Sequence, residues 1–359
     1  MDKQLSIVIP TYNRHHFLVS LLEYFFSNDF SNINFIILDS SVKDIKNKNI
    51  NYILTKNIQC LSYIEFDETI TPIDKIHQGL KLVNTKYCVL CADDDVIFID
   101  TLLKCLELMI EDENLICAHG IYLNFNNDLN LSIEYHKQSI LNDNLFNRIY
   151  KFLNNYESLF YAVYKTNDIN LIFDYASKIK NNHFFELSQS LIPLMLGSSV
   201  RINKIYCARY IGENVDPSRT NWHPVLWYRK NIKEFIFCYF NYVDVLYEFY
   251  CTHIVPSGSS NLKYGNDFYH FMNISHLKYL LNAFAGGTIT AISPIIYLTE
   301  LKYNIIIRNK FIFNLTETIN RVFIFFSPVR SLKYNSTEFQ AKKTILSGHF
   351  NKHLRFRNF

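Results

Sequence analysis

The first third of the chain alternates short apolar runs with segments whose apolar residues recur at helical spacing. The apolar runs predict buried strands at 4–9, 33–38, 60–66, 87–91 and 115–123. Helical spacing follows the first strand, from Phe17 to Phe26, and recurs after Pro72 and over residues 99–111. Because strands and helices alternate in this way, we expect a mostly parallel sheet that is covered by helices.

Beyond residue 125 the pattern is less regular. Residues 124–160 are polar and rich in Asn, the run 159–164 is strand-like and aromatic, and helical spacing returns over 167–197. A loop is predicted at 212–224, and the pattern from 225 onward is mostly helical and strongly aromatic. We therefore predict three parts, which comprise residues 1–125, 126–224 and 225–359.

Three consecutive carboxylates, Asp93, Asp94 and Asp95, directly follow the predicted strand at 87–91. Adjacent acids repel one another unless a positive group lies among them, and hard divalent cations prefer carboxylate oxygens. In open α/β sheets, ligands bind beyond the carboxyl ends of the strands. The triplet therefore indicates a metal–phosphate site. The alternative is a solvated turn in which one Asp caps the following helix.

Polar residues also follow the other predicted strands. Pro10-Thr11-Tyr12-Asn13-Arg14 follows the first strand, and Asp39-Ser40 follows the second. Lys75 lies in the first turns of the helix that begins at Pro72. In a parallel sheet these groups and the Asp triplet converge on one rim, where they suit a single ligand.

Composition limits the function classes. The chain has 359 residues, of which 49% are apolar and 19% charged, so it is long enough for a large core. A net charge of +3 is too small to indicate a nucleic-acid partner. The start of the chain has no signal-peptide pattern. We therefore interpret the eight cysteines as reduced thiols of a cytosolic protein.

Two segments raise the question of membrane contact. Residues 280–298 are uncharged and almost as long as a membrane-spanning helix, but Gly, Thr, Ser and Pro within them favour a buried helix pair instead. The C-terminus combines basic residues, from Lys342 to Arg357, with aromatic ones. That mixture suits peripheral contact with an anionic membrane surface. A frayed basic tail is the alternative.

The strand and turn at 7–14, with Asp39-Ser40 and Ala92-Asp93-Asp94-Asp95, resemble the nucleotide-sugar-binding half of family-2-type glycosyltransferases of the GT-A fold. The run before the triplet, with Ala118-His119-Gly120, is similar to a bacterial subgroup of that family. The resemblance extends over residues 4–125 and more loosely over 126–225. It implies a Rossmann-type sheet that binds nucleotide-diphospho-sugars, with helices on both faces, followed by a mainly helical C-terminal region.

The resemblance also implies roles for residues of the rim. Asp93 and Asp95 match the Asp-x-Asp pair that meets the diphosphate and its Mg²⁺ or Mn²⁺, and Asp94 is an alternative member of that pair. His223, in the loop at 212–224, is a candidate metal ligand or diphosphate contact; a loop histidine bonded to the backbone is the alternative. The implied donor-binding residues are Pro10, Thr11, Tyr12, Arg14, Asp39, Ser40, Lys75, Asp93 and Asp94. For Lys75, an ordinary surface lysine is the alternative.

Inverting sugar transfer requires a base that takes the proton from the attacking hydroxyl. The resemblance implies a carboxylate near the start of a helix in the acceptor-binding half, and Phe184-Phe185-Glu186-Leu187 is the best match. The apolar neighbours of Glu186 are expected to raise its pKa. The family often has Glu-Asp at this point, whereas this chain has Glu-Leu. An ordinary helical glutamate is the alternative, and Asp168 and Asp174 are weaker candidates for the base.

These observations predict a metal-dependent glycosyltransferase that moves a sugar from a nucleotide-diphosphate donor to a hydroxyl of a glycan or lipid-linked glycan. The resemblance places it in bacterial surface polysaccharide assembly, in the cytoplasm or peripherally on the inner face of the membrane. A non-catalytic nucleotide- or glycan-binding module is the alternative from another class. A sugar-nucleotide pyrophosphorylase would need a Gly-rich loop after the first strand, where this chain has Pro10-Thr11-Tyr12.

Overall fold

The computed structural model describes residues 3–27, 33–56, 60–126, 131–133, 138–141, 144–154, 156–179, 181–210, 232–255, 267–276, 279 and 340–347. The strands are β1 (Leu5–Thr11), β2 (Ile33–Asp39), β3 (Leu61–Glu65), β4 (Tyr87–Leu90), β5 (Val96–Ile97), β6 (Leu115–Phe125), β7 (Leu131–Ile133), β8 (Val163–Lys165) and β9 (Ser198–Tyr210). The helices are α1 (His15–Phe26), α2 (Lys43–Lys56), α3 (Pro72–Leu80), α4 (Ile99–Glu111), α5 (Leu145–Asn154), α6 (Thr166–Ala176), α7 (Asn182–Leu196) and α8 (Ile232–His253). Residues 267–276 and 340–347 are also helical.

The described strands form one sheet in the order β3-β2-β1-β4-β8-β6-β9-β5, with β7 beside β6. β1 is parallel to both β2 and β4, so the carboxyl ends of these three strands lie at the same edge. In this register Thr11 lies opposite Asp39. β8 is antiparallel to both β4 and β6, and it joins the N-terminal strands to the later ones. The sheet therefore continues across residue 125, and the three-part division stays a prediction.

The core of the N-terminal half consists of the apolar runs that predicted its strands. In β1, every residue except Pro10 is buried, which fits a strand covered on both faces. Phe17, Leu21 and Phe25 form the buried stripe of α1. Each large apolar side chain that is fully buried contributes about 1.5–3 kcal/mol relative to exposure. The predicted strands and helices of residues 4–125 all appear within a few residues of their expected bounds.

One helix of this half was not predicted. Residues 43–56 form α2 between β2 and β3, where we expected the two strands to follow each other directly. Within this helix the single buried residue is Asn49, so its sequence has no apolar stripe. Its apolar residues Tyr52 and Ile53 are only partly buried, so they give little periodic signal in the hydrophobic pattern.

The region after residue 125 differs more from the sequence-based prediction. The polar segment 124–160 contains β7 and α5, and only the end of the run 159–164 becomes a strand, β8. The helical region predicted at 167–197 is two helices, α6 and α7, with a break between them. β9 was not predicted at all, because its middle residues Asn203 and Lys204 are polar and exposed and interrupt its apolar pattern.

α3 lies unusually close to the sheet and begins at a well-capped end. The Thr71 side chain accepts a hydrogen bond from the Asp74 N–H, and Pro72 occupies the first turn. Near the other end, a Cβ atom on Gly79 would lie 2.2 Å from Leu38 Cδ1. Gly79 therefore allows a closer approach of α3 to β2 than any larger residue permits.

The C-terminal part is helical where it is described, as expected. α8 packs against α6 and α7. Lys342, in the helical segment 340–347, is buried and donates to Asp100 Oδ1 at 2.5 Å. Residues 280–298 and the basic residues beyond 347 lie outside the described residues. Among the described residues, no helix combines the length and apolar character that crossing a bilayer requires.

Candidate active site

The turn after β1 is held against the turn after β2 by a pair of hydrogen bonds. Asn13 has a left-handed backbone conformation, with φ of 55°, which asparagine tolerates better than most residues. Its N–H donates to Ser41 Oγ at 2.8 Å, and its side-chain oxygen accepts from the Val42 N–H at 3.0 Å. These bonds fix the turn, while Tyr12 stays 50% exposed at its tip.

Arg14 connects the first turn to the acidic triplet. Its Nη1 donates to Asp93 Oδ1 at 3.1 Å and to Asp94 Oδ2 at 2.7 Å. Thr11 Oγ1 donates to Asp93 Oδ2 at 2.6 Å, so both oxygens of Asp93 accept hydrogen bonds. Burial raises the pKa of Asp93, and the Asp94 charge adds to that rise, although Arg14 and Thr11 oppose it. An arginine of the chain thus relieves part of the repulsion in the triplet.

Asp94 and Asp95 have different surroundings. Within the described residues, Asp94 accepts a hydrogen bond from Arg14 alone, and its side chain is 12% exposed. Asp95 is buried; its Oδ1 accepts from the Tyr210 N–H at 2.8 Å and its Oδ2 accepts from the Tyr161 hydroxyl. Tyr210 ends β9 and Tyr161 precedes β8, so Asp95 joins the triplet to the later half of the sheet.

Asp39 is buried and accepts three hydrogen bonds. Its Oδ1 accepts from the Ser41 N–H at 2.7 Å, and its Oδ2 accepts from Asn49 Nδ2 at 2.6 Å and from the Tyr63 hydroxyl at 2.5 Å. These donors come from the turn after β2, from α2 and from β3. Asp39 therefore holds these three elements together, and its bond to Asn49 explains the buried polar position of α2.

Lys75 lies between the ends of β1 and β2. Its Nζ donates to the Thr11 carbonyl at 2.6 Å and to Ser40 Oγ at 2.8 Å, and the residue is 3% exposed. Burial lowers its pKa to about 8, although the charges of Asp39 and Asp93 favour the protonated form. Lys75 is therefore not a surface lysine. We use the name polar rim for Thr11, Arg14, Asp39, Ser40, Lys75 and Asp93–Asp95.

Glu186 lies in the first turns of α7. The Asn181 side chain caps this helix by accepting from the Phe184 N–H at 3.2 Å. The Tyr156 hydroxyl donates to Glu186 Oε1 at 2.9 Å. Glu186 is partly exposed, whereas the preceding Phe185 is buried. The carboxylate is thus fixed at the surface of an otherwise apolar helix face.

Glu186 lines a cavity of 310 Å³, which we call the Glu186 cavity. Its apolar wall comes from the start of α3, the segment before β8 and α7, through Ile73, Ile76, Phe160 and Phe185. Its polar wall includes Arg209 of β9. Tyr161, which donates to Asp95, also lines it. One cavity therefore contacts both the candidate base and a direct partner of the acidic triplet.

Comparison with known families agrees with this arrangement. Residues 6–173 match the sequence model of glycosyl transferase family 2. This segment of the chain is similar to family 2 glycosyltransferases. This match confirms the predicted enzyme class, a glycosyltransferase. A comparison with curated proteins finds no match.

The glycosyltransferase is also similar to solved structures. TarS 1–349 of S. aureus in complex with UDP-GlcNAc is 13% identical, with 91% of this chain and 93% of that chain covered and a TM-score of 0.51. The mannosyltransferase PcManGT from Pyrobaculum calidifontis, in complex with GDP-Man and Mn²⁺, is 12% identical, with 100% and 89% covered and a TM-score of 0.45. The likeness to TarS and the family match confirm the predicted GT-A fold.

The other candidate bases of the glycosyltransferase lie away from the Glu186 cavity. Asp168 begins α6 beside Lys86, at the amino end of β4, whereas the triplet follows the carboxyl end of that strand. Asp174 pairs with His77 Nε2 at 2.7 Å and with Lys81 Nζ at 2.5 Å. Neither residue lines the Glu186 cavity.

Of His119 and His223, the structure describes His119 alone. His119 is buried on β6 and lines a separate cavity of 480 Å³. Burial lowers its pKa to about 3, so its ring is neutral at physiological pH. His223 lies outside the described residues, as does Arg219 in the same loop.

The residues present fit a hard cation, although no cluster of three or more His, Cys, Asp or Glu side chains in the described part of the chain is arranged around a metal position. Carboxylate oxygens are the ligands that Mg²⁺ and Mn²⁺ prefer. Asp94 keeps one oxygen without a hydrogen bond from any described residue. The oxygens of Asp93 and Asp95 each have a second lone pair beyond the bonds described above.

Several residues of the site gave no sequence signal. Tyr161 lies within the aromatic run that we interpreted as a strand, and Tyr210 and Arg209 lie in the strand that was not predicted. Asn49 lies in the helix that was not predicted. Tyr161, Tyr210 and Arg209 contact the polar rim or the Glu186 cavity because the sheet order places β8 beside β4 and β9 between β6 and β5. Asn49 contacts the polar rim through Asp39.

Proposed function

We propose that the protein transfers a sugar from a nucleotide-diphosphate donor to a hydroxyl of a glycan, with inversion and with dependence on a divalent cation. The observation that carries this proposal is the Glu186 cavity, which contacts both Glu186 and the Asp95 partner Tyr161. A donor held at the polar rim and a hydroxyl approaching Glu186 then meet in one enclosed space. Such proximity is a large part of group-transfer catalysis.

The polar rim would bind the nucleotide-diphosphate portion of the donor. Tyr12 is half exposed at the tip of the first turn, and its ring would stack on the nucleobase of the donor. Arg14 and Lys75 supply positive charge near the phosphates. Ser40 would contact the nucleoside directly, and the buried Asp39 would support that contact by holding the turn after β2.

Asp93 and Asp95 would hold Mg²⁺ or Mn²⁺, with Asp94 adding its remaining oxygen and His223 a later ligand. A bound divalent cation would supply positive charge against the diphosphate and the departing nucleotide. Arg14 supports the same site by offsetting part of the repulsion between Asp93 and Asp94.

Glu186 would accept the proton of the attacking hydroxyl as that oxygen bonds to the anomeric carbon of the sugar. The Tyr156 hydroxyl holds the carboxylate in place by donating to Oε1. The proposed acceptor is a glycan or lipid-linked glycan of a bacterial surface polysaccharide. The proposed location is the cytoplasm, or the inner face of the membrane through the basic, aromatic C-terminus.

The test is a screen of purified protein with UDP-, GDP-, dTDP- and CMP-linked sugars, each with Mn²⁺, with Mg²⁺ and with a chelator. UDP-GlcNAc belongs in the panel because the TarS structure contains it. We expect release of one nucleotide that stops when the chelator is added. Equal turnover in the chelator would exclude the cation, and a folded protein that neither binds nor hydrolyses any donor would exclude the transferase proposal.

A further inference from the structure

The hydroxyl of Tyr122 is a buried polar group that has no hydrogen-bond partner among the described residues. Tyr122 lies on β6 and is 1% exposed. Buried hydroxyl groups are nearly always hydrogen-bonded, because an unpaired one loses its bonds to water without replacement. A molecule bound beside Tyr122 can supply the missing partner.

The ring of Tyr122 is held in one position by other aromatic rings. The His119 ring stacks on it with a centroid distance of 5.8 Å. The Tyr206 ring meets it edge-on at 6.2 Å, and the Tyr161 ring lies at 6.5 Å. Tyr122 also lines the Glu186 cavity. The hydroxyl cannot move far to find another partner, because the rings around it are themselves buried.

The surroundings of this hydroxyl favour an oxygen atom as its partner. Burial raises the pKa of Tyr122 well above its ordinary value, so the hydroxyl keeps its proton and can donate it. Arg209, which lines the same cavity, adds positive charge and favours an electron-rich atom nearby. The apolar side chains of Ile73 and Phe160 suit the C–H face of a sugar ring.

The position of the cavity favours the donor sugar over the acceptor sugar. Tyr161 lies in the wall beside Tyr122 and donates to Asp95 of the acidic triplet. In the proposed function, this triplet holds the diphosphate to which the donor sugar is attached. The first sugar ring beyond the diphosphate is therefore the group nearest to this wall.

We propose that the Tyr122 hydroxyl donates a hydrogen bond to an oxygen substituent of the donor sugar and selects donors that carry an oxygen at that position. This inference rests on the proposed function. It assigns a specificity-determining residue on β6, a strand that holds neither the acidic triplet nor the candidate base.

The test compares Tyr122→Phe with Tyr164→Phe as a matched control. Tyr164 is also fully buried, but its hydroxyl donates to the Leu159 carbonyl at 2.9 Å and it does not line the Glu186 cavity. Both variants lose one buried phenolic hydroxyl. We expect Tyr164→Phe to lower the Tm by about 2–4 °C, because it removes a buried hydrogen bond and leaves the Leu159 carbonyl with the Ala162 N–H alone. Tyr122→Phe should leave the Tm unchanged or higher.

Ligand binding is measured with UDP-glucose, UDP-GlcNAc, GDP-mannose and the free nucleotides UDP and GDP. For the donor that the wild type binds, Tyr122→Phe should raise the Kd about tenfold and leave the Kd of the free nucleotide unchanged. Analogues of that donor, each lacking one hydroxyl, identify the contact. One analogue should bind the wild type about tenfold more weakly than the full donor does. The same analogue should bind Tyr122→Phe no more weakly than the full donor does.

Other outcomes overturn the proposal. If Tyr122→Phe binds the donor as well as the wild type does, solvent satisfies the hydroxyl. A loss of Tm like that of Tyr164→Phe would mean a structural partner, and an effect on the acceptor KM alone would remove the donor assignment. If the wild type binds none of the nucleotide sugars, the proposed function fails and this proposal fails with it; a binding wild type with an unaffected variant refutes this proposal alone.

Discussion

The polar rim and the Glu186 cavity differ in how the chain satisfies their polar groups. In the polar rim, charged groups bond to one another, as Arg14 does to Asp93 and Asp94, or accept from neutral hydroxyls, as Asp39 does from Tyr63. In the Glu186 cavity, apolar walls surround a few polar groups, and the Tyr122 hydroxyl has no partner among the described residues. The rim is therefore organised before any ligand arrives, whereas the cavity depends on its ligand for at least one hydrogen bond.

A substitution of Glu186 should separate the effects of the two regions most clearly. Glu186→Gln keeps the size of the side chain and its bond from Tyr156 but cannot accept a proton, so kcat should fall about 10²–10⁴-fold. The affinity for the nucleotide sugar should stay within about twofold, because the polar rim is untouched. Initial rates and calorimetric binding of the donor measure the two quantities separately.

Asp174→Asn is the control for this variant, since Asp174 pairs with Lys81 outside the Glu186 cavity. It should keep wild-type turnover. Full activity in Glu186→Gln would remove Glu186 as the base. If kcat fell as much in Asp174→Asn as in Glu186→Gln, loss of a carboxylate charge outside the Glu186 cavity would impair the enzyme equally.

Asp93→Asn should instead weaken donor binding at the polar rim. Asparagine still accepts from Thr11 but loses the ionic contact with Arg14, so the donor Kd should rise about 10–100-fold. The same variant should require more Mn²⁺ for half-maximal activity. A variant with normal donor affinity and a reduced kcat would instead assign Asp93 to the transfer step.

Lys75 in the polar rim and His119, which stacks on Tyr122, should affect stability in different pH windows. Lys75 has a folded pKa of about 8 against an ordinary 10.5, and His119 one of about 3 against 6.5. In each window the unfolded chain binds the extra proton, so stability rises with pH from about 8 to 10.5 through Lys75 and falls as pH drops below about 6.5 through His119.

Denaturant unfolding of two variants measures the two pH-dependent contributions separately. The free energy of unfolding of the wild type relative to His119→Gln should fall by roughly 1.4 kcal/mol for each pH unit below 6.5. Relative to Lys75→Met, that of the wild type should rise by a similar amount for each unit between pH 8 and 10. Parallel curves for variant and wild type would mean that the side chain titrates at its ordinary pKa in the folded protein.

The same difference between the two regions explains how much of the structure the sequence predicts. Residues of the polar rim follow directly after strands with continuous apolar runs, so the pattern that predicts β1, β2 and β4 also predicts where Thr11, Asp39 and Asp93 meet. The buried position of Lys75 could not be predicted, because it depends on how closely α3 approaches β2.

The Glu186 cavity is less predictable for a physical reason. Tyr122, Tyr161 and Arg209 are distant in sequence and come together only when β6, β8 and β9 pair in an order that local patterns do not encode. Glu186 was predicted through resemblance and helix position, not through the hydrophobic pattern. The predicted roles of Glu186 and of the polar-rim residues stay predictions until the variants above are measured.

The close approach of α3 to β2 at Gly79 has a consequence for how such an enzyme evolves. The same helix carries Lys75 to the polar rim and Ile73 and Ile76 to the Glu186 cavity. A mutation that shifts this helix, such as Gly79→Ala against Leu38, moves both regions together. Lineages that change the polar rim by repositioning α3 would therefore inherit a changed Glu186 cavity in the same step, and the two regions would not vary independently.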